Sequence, residues 1–162
     1  YVKDPKDKHQ LIVDPEAAEI VKLIYNKTLQ GETRRAIVYH LNDHGIPSPT
    51  TYRKNKGLPY SCSVSDNPMW GDRVLTNILT NMWGARMIHE ILTNPIYTGD
   101  LVQGRRRVKS YKVHEIEAVP EDEWVRVADT HEAIIDRETF DKVQGLLKRV
   151  VASAHEYRSS EG

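Results

Sequence analysis

The apolar residues of this chain change their period at Asn94-Pro95. Before that point they recur at the i, i+3, i+4, i+7 spacing of helices with one buried face; after it they alternate, as in strands with one buried face. A run of helices followed by a run of strands does not build the βα alternation of a parallel sheet. The pattern predicts an α+β fold: helices first, then a small antiparallel sheet, then a closing helix. The strands are expected at Ile96 to Val102, around Ser110 to Ala118, and at Trp124 to Ala128, with Gly104 and Arg105-Arg106-Arg107 forming the first turn. Asp136 is placed to cap the last helix, with Phe140, Val143, Leu147 and Val150 facing inward. The polar stretch from Ala152 to Gly162 reads as a fraying tail.

The helical part is punctuated clearly. Asp14 is a good N-cap and Pro15 suits a first helical position; Ala17, Ile20, Val21, Ile24 and Thr28 form the inward stripe, and Gly31 stops the helix. A second helix is expected from about Thr33 to Asp43, with Ala36, Ile37, His40 and Leu41 inward and Arg34 and Arg35 in its first turn. Gly45 ends it, and Ile46-Pro47-Ser48-Pro49 reads as extended, because residues before proline avoid the helical region. Residues 50 to 69 carry no apolar period and read as a basic loop. Two similar short amphipathic helices follow, Trp70 to Asn81 and Trp83 to Asn94. In the second, Met87, Ile88, Ile91 and Leu92 face inward, while Arg86, His89, Glu90 and Thr93 face outward.

Several functional classes find no support. No stretch approaches the ~18 apolar residues of a membrane span. The opening Tyr1-Val2-Lys3-Asp4-Pro5 is not a signal peptide, and its lack of Met suggests that flanking sequence is missing. The single cysteine, Cys62, cannot form an internal disulfide and has no base beside it, which suits a surface thiol in a reducing compartment. His40 and His44 lie at i, i+4 without an evident third metal ligand. Glu121, Asp122 and Glu123 read as an exposed turn, and there is no glycine-rich phosphate loop. No catalytic residue and no cofactor is expected in this stretch.

Net charge is zero, but the charges are segregated. Gly45 to Lys112 holds ten bases and four acids, and Val113 to Asp141 holds two bases and ten acids. Such segregation either places basic and acidic surfaces apart or lets the two segments fold together and neutralise each other. A helix ending Asn-x-x-Gly, followed by a short helix with a polar outer face, resembles a helix-turn-helix pair, although its connection of about forty residues is long for that motif. On this reading Arg86 is suited to guanine and His89 to a base or phosphate. The Arg105-Arg106-Arg107-x-Lys109-x-Tyr111-Lys112 cluster and the loop Tyr52-Arg53-Lys54-Asn55-Lys56 suit a phosphate backbone, or are simply exposed basic turns. With Arg34, Arg35 and Arg73, these residues are the candidate DNA contacts.

Taken in order, Leu11 to Ala18, Ala36-Ile37, Leu41-Asn42-Asp43-His44-Gly45-Ile46-Pro47-Ser48-Pro49, Trp83 to Gly99, Val102-Gln103-Gly104-Arg105, Trp124, and Thr130 to Phe140 resemble the recombinase domain of large serine recombinases. The resemblance covers about residues 1 to 150. It implies a phage or mobile-element protein of the bacterial cytoplasm that acts at the nucleoid, as a dimer or tetramer on double-stranded DNA. Its nucleophilic serine would lie in a domain before Tyr1. It further implies a linker over residues 1–13, a DNA-binding domain over 14–151 that reads part of an attachment site, and a tail over 152–162 leading toward a zinc ribbon. Trp83 to Asn94 matches the family's groove-facing helix, although Trp70 to Asn81 has a similar claim. The rival reading is a protein-interaction module that docks a partner through the acidic face from Glu115 to Asp141.

Overall fold

The structure is a computed structural model and describes residues 1–3, 7, 10–58, 81–109 and 115–159. The chain divides into two compact units, one formed by Tyr1–Leu29 with Leu92–Gly162 and the other by Gln30–Ile91. The α+β architecture is as the apolar periods predict.

The first unit opens with a two-residue antiparallel ladder, β1 (Val2–Lys3) against β2 (Leu11–Ile12), so the segment expected to be a plain linker pairs with itself. The phenol of Tyr1 donates to the Glu132 carbonyl at 2.8 Å, and its ring lies edge-on to His131 with centroids 4.6 Å apart. Helix α1 (Pro15–Leu29) follows, with Asp14 accepting from the Ala17 amide at 3.4 Å. Its buried stripe is Ala18, Val21, Ile24, Tyr25 and Thr28; of the expected stripe Ala17 and Ile20 are only half-buried, their places taken by Ala18 and Tyr25.

The return to this unit begins at Leu92. Its carbonyl lies at a helix end, where no amide one turn on can reach it. Two side chains replace that amide: the Tyr25 phenol donates at 3.2 Å and Gln144 Nε2 at 2.7 Å. The expected strand at Ile96 instead begins as a 3-10 turn, Pro95–Thr98, because Asn94 caps the Ile96 amide and Pro95 fixes a helical start. Gly99, at φ 86°, turns the chain into β3 (Leu101–Gln103). The small sheet is two separate antiparallel ladders. β3 pairs with β6 (Val125–Val127), and β4 (Arg106–Val108) pairs with β5 (Ile116–Ala118). The triple-arginine segment is therefore strand rather than turn from Arg106 onward, and the second expected strand is confined among the described residues to Ile116–Ala118.

Helix α5 (Arg137–Ser159) closes the unit. Asp136 caps it, accepting from the Thr139 amide at 2.7 Å, and those hydrogen bonds hold its carboxyl below the ordinary range. Val143 is fully buried, but Val150 is 60% exposed, so the inward stripe ends before it. The helix continues to Ser159, past the point where a fraying tail was expected at Ala152.

The second unit begins with α2 (Arg34–Asp43), capped by Thr33, whose hydroxyl accepts from the Ala36 amide at 3.2 Å. Only Ile37 and Leu41 of its expected inner face are buried; Ala36 is exposed and His40 half-buried. The stretch read as the start of a loop is a helix, α3 (Pro49–Asn55). Ser48, fully buried, caps it by accepting from the Thr51 amide at 3.3 Å, and Pro49 occupies its first position. It buries none of its own residues, so it carries no apolar stripe for periodicity to detect. Helix α4 (Ala85–Leu92) buries Ile88 and Leu92 and exposes Arg86, His89 and Glu90, as its period predicts, while Met87 and Ile91 of the expected inner face and Thr93 of the expected outer face are half-buried. The first short helix of the internal echo, Trp70 to Asn81, lies outside the described residues except at its last position.

Two consequences are measurable. A Cβ on Gly99 would meet the His131 carbonyl oxygen at 2.7 Å, whereas one on Gly31, also at positive φ, meets nothing within 4 Å. Gly31→Ala is therefore expected to cost about 1–2 kcal/mol from the left-handed backbone alone, and Gly99→Ala distinctly more; equal losses in denaturant titrations would contradict the tight approach at Gly99. Burial also raises the phenols of Tyr25 and Tyr97 and pushes Tyr1 up to about 12. These groups favour folding fully below the ordinary phenol value of about 10 and withdraw that support as pH rises above it. The melting temperature is expected to fall above about pH 10, and the deficit of Tyr25→Phe relative to the native chain to shrink there.

Candidate nucleic-acid interface

The long connection between α2 and α4 is closed by side chains of the second unit. Asn42, in the last turn of α2, donates through Nδ2 to the Trp83 carbonyl at 3.3 Å and accepts from the Trp83 amide at 2.9 Å. The amide side chain thus pairs with the backbone of a residue 41 positions away, as a neighbouring strand would. Trp83 is 5% exposed, and its indole Nε1 donates to the Ile46 carbonyl at 2.9 Å. The hydroxyl of Thr51, on α3, reaches the Asn81 carbonyl at 3.1 Å. The entry to α4 is therefore fixed against the end of α2 and the start of α3, although the connection is far longer than a turn.

Three arginines of this unit sit in unfavourable local fields, whereas Arg53 and Lys54, in the last turn of α3, sit in a favourable one. A helix N-terminus carries partial positive charge and prefers acids there, with each misplaced charge costing about 0.3–1 kcal/mol. In the first unit α1 has Glu16 in its first turn and Lys27 in its last, and α5 has Glu138 in its first turn beside Arg137, whose charge is met by Asp100 and Asp129. In the second unit α2 and α4 have no acid in their first turns and carry Arg34, Arg35 and Arg86 instead. Arg34 and Arg35 are exposed, with no ion pair among the described residues. Arg53 and Lys54 are exposed in the last turn of α3, and Lys56 lies 5.2 Å from the ring centre of half-buried Tyr52. Arg86 pairs with Glu90 at 2.9 Å on the outer face of α4, beside exposed His89.

The basic cluster of the first unit is arranged differently. Successive residues on a strand point to opposite sides, so Arg106 and Arg107, both on β4, cannot be presented together. Arg105 donates to Asn94 Oδ1 at 3.2 Å, and its guanidinium lies 5.2 Å from the Trp124 ring centre. Arg107 donates to Glu117 at 2.5 Å and Glu123 at 3.0 Å, contacts that raise its pKa further, with Glu117 the leading cause. Lys109 pairs with Glu115 at 3.7 Å. Arg106 is exposed, with no ion pair among the described residues. Here the basic and acidic stretches neutralise each other across the β4–β5 ladder, the second of the two outcomes that charge segregation allowed. Arg73, Tyr111 and Lys112 lie outside the described residues, as does Cys62.

Other polar groups are also engaged internally. Arg137 bridges Asp100 and Asp129, each at 2.9 Å. The His40 and His44 rings lie against each other, tilted by 35° with centroids 4.1 Å apart. Among the described residues no group of three or more His, Cys, Asp or Glu is placed to hold a metal, and no helix is long and apolar enough to cross a membrane.

Residues 15–150 match the family described as Recombinase. The chain belongs to that family, the recombinase domain of serine recombinases. Membership connects this recombinase domain with site-specific DNA recombination and implies DNA as a partner. No curated protein and no solved structure matches the chain.

The positioning residues Asn42 and Trp83 were within the motifs read from sequence, but their pairing was not. Removing the Asn42 side chain leaves the Trp83 amide and carbonyl without their partner, at a cost of about 1–3 kcal/mol. Asn42→Ala is expected to lower the denaturation midpoint accordingly, with Asn42→Asp intermediate because it keeps the acceptor. A midpoint unchanged in Asn42→Ala would mean that the pairing does not hold the entry to α4.

Proposed function

We propose that this recombinase domain binds double-stranded DNA through its second unit and reads part of an attachment site with α4. In the parent, a large serine recombinase acting in the cytoplasm as a dimer or tetramer on DNA, it positions a serine catalytic domain for strand exchange. The domain itself supplies no catalytic group and needs no cofactor to bind. The linker role of residues 1–13 and the exit toward a zinc ribbon beyond 151 belong to the same proposal.

One observation carries the reading: α2 and α4 place arginines where their own dipoles disfavour them, and Arg34 and Arg35 are exposed with no ion pair among the described residues. A phosphate at such a position relieves the unfavourable field and accepts hydrogen bonds from the terminal amides at once. Arg53, Lys54, Lys56 and Tyr52 extend this phosphate-contacting set, and Arg86 and His89 supply the reading face. In the first unit, Arg106 is the member of the triple-arginine cluster best suited to a phosphate, with Arg105, Arg107 and Lys109 secondary because each already has partners within the fold. Arg73 and Lys112 are retained on sequence grounds.

The interaction-module alternative is weakened by the same pairing. Glu115, Glu117, Glu123, Asp129 and Glu138 all have basic partners within the chain, and Asp136 is a helix cap. An acidic face so engaged has less charge to offer a partner.

Gel shifts with duplexes from the parent element's attachment site, across a salt series, test the proposal. Replacing Arg34, Arg35, Arg53 and Lys54 with Ala is expected to weaken binding and to flatten the slope of log affinity against log salt, by roughly one unit for each phosphate that the variant no longer neutralises. Arg107→Ala is expected to leave that slope nearly unchanged. An unaltered slope in the fourfold variant, or no binding by the native chain, overturns the assignment.

A further inference from the structure

Glu90 is the single carboxylate on α4, and it lies on the face assigned to DNA. A negative charge there repels phosphate and lowers affinity for DNA in general. Helix stability does not account for it. The Arg86 and Glu90 side chains are 84% and 62% exposed, and Arg preceding Glu is the weaker order of an i, i+4 pair. Such a pair contributes at most about 0.5 kcal/mol.

The geometry of the pair is more informative than its strength. Glu90 Oε1 accepts from Nε of Arg86, at 2.9 Å. A guanidinium has one N–H on Nε and four on its two Nη atoms. Engaging Nε holds the side chain along its own helix and leaves the two Nη atoms as an end-on fork. Two parallel N–H donors are what the O6 and N7 acceptors of guanine require in the major groove. An unrestrained arginine would instead distribute itself between base edges and phosphates.

We propose that Glu90 is a positioning residue that holds Arg86 through Nε, so that Nη1 and Nη2 select guanine at one position of the DNA site. The inference rests on the DNA-reading role of α4 and deepens it. The carboxylate lowers attraction to phosphate in general while sharpening discrimination between bases.

The test is to recover duplexes from a randomised pool with the full chain and its variants and to sequence them, measuring affinity for the unselected pool in parallel. The native chain is expected to enrich guanine at one position, and Arg86→Ala to lose that enrichment. Glu90→Ala is expected to reduce it by roughly tenfold while binding the unselected pool more tightly. Glu90→Gln keeps an oxygen acceptor for Nε and is expected to retain the guanine preference with the same gain in general affinity. A purely structural role for Glu90 does not produce that split between Ala and Gln. Full guanine enrichment in Glu90→Ala overturns the inference. So does loss of cytosine at a neighbouring position with guanine unchanged, since Glu90 would then read a base directly. If every variant binds and the recovered pools are alike, this inference alone fails; if none binds, the proposed DNA-binding function fails with it.

Discussion

The second unit depends on closing the chain between Asn42 and Trp83. Bringing together residues 41 positions apart opposes folding by roughly 3 kcal/mol of loop entropy plus a constant. Three hydrogen bonds to Trp83, each contributing about 1 kcal/mol net, offset much of this. Burying the indole adds at least about 2 kcal/mol more. Helix α3 reduces the entropy further by ordering part of the loop, and Thr51 ties it to Asn81. With the closure made, α4 has a defined entry point relative to α2 despite the missing short turn of an ordinary helix-turn-helix. Without it, the exposed face of α4 would have no fixed orientation.

The two units treat charge in opposite ways. In the first, strand pairing sets Arg107 against Glu117 and Lys109 against Glu115, and Arg137 at the start of α5 is bridged to Asp100 and Asp129. Those arrangements contribute to folding and leave little net field outside. In the second unit, Arg34, Arg35 and Arg86 oppose the dipoles of the helices that carry them. Placements of that kind are expected where a binding site is held at some expense to local stability. The proposed division of labour follows, with the second unit the main surface that meets phosphate and the first unit a scaffold that adds Arg106.

The locally determined features were legible in the sequence. Asp14-Pro15 and Thr33 mark helix starts, and Asp136 marks another, because a cap needs only a side-chain acceptor within a turn of its own amides. The amphipathic period of α4 separates Ile88 and Leu92 from Arg86, His89 and Glu90 in sequence as it does in space. Local features that periodicity cannot express were missed. Helix α3 buries none of its residues, and its only signal was Ser48-Pro49, a cap followed by a first-position proline. The 3-10 turn at Pro95–Thr98 carried the same kind of signal in Asn94-Pro95.

The sequence by itself determined the α+β class, the helix starts and the polar face of α4, since these follow from side-chain spacing along one element. Only the tertiary structure decided which charges meet. Arg107 and Glu117 stand ten positions apart, and nothing in composition distinguishes a basic run facing solvent from one facing an acidic strand. Tertiary structure likewise decided that Asn42 would pair with Trp83 and that Tyr25 and Gln144 would share the Leu92 carbonyl. The reason is common to all three: a hydrogen bond or ion pair acts over about 3 Å, and sequence separation carries no information at that range once the chain has folded back on itself.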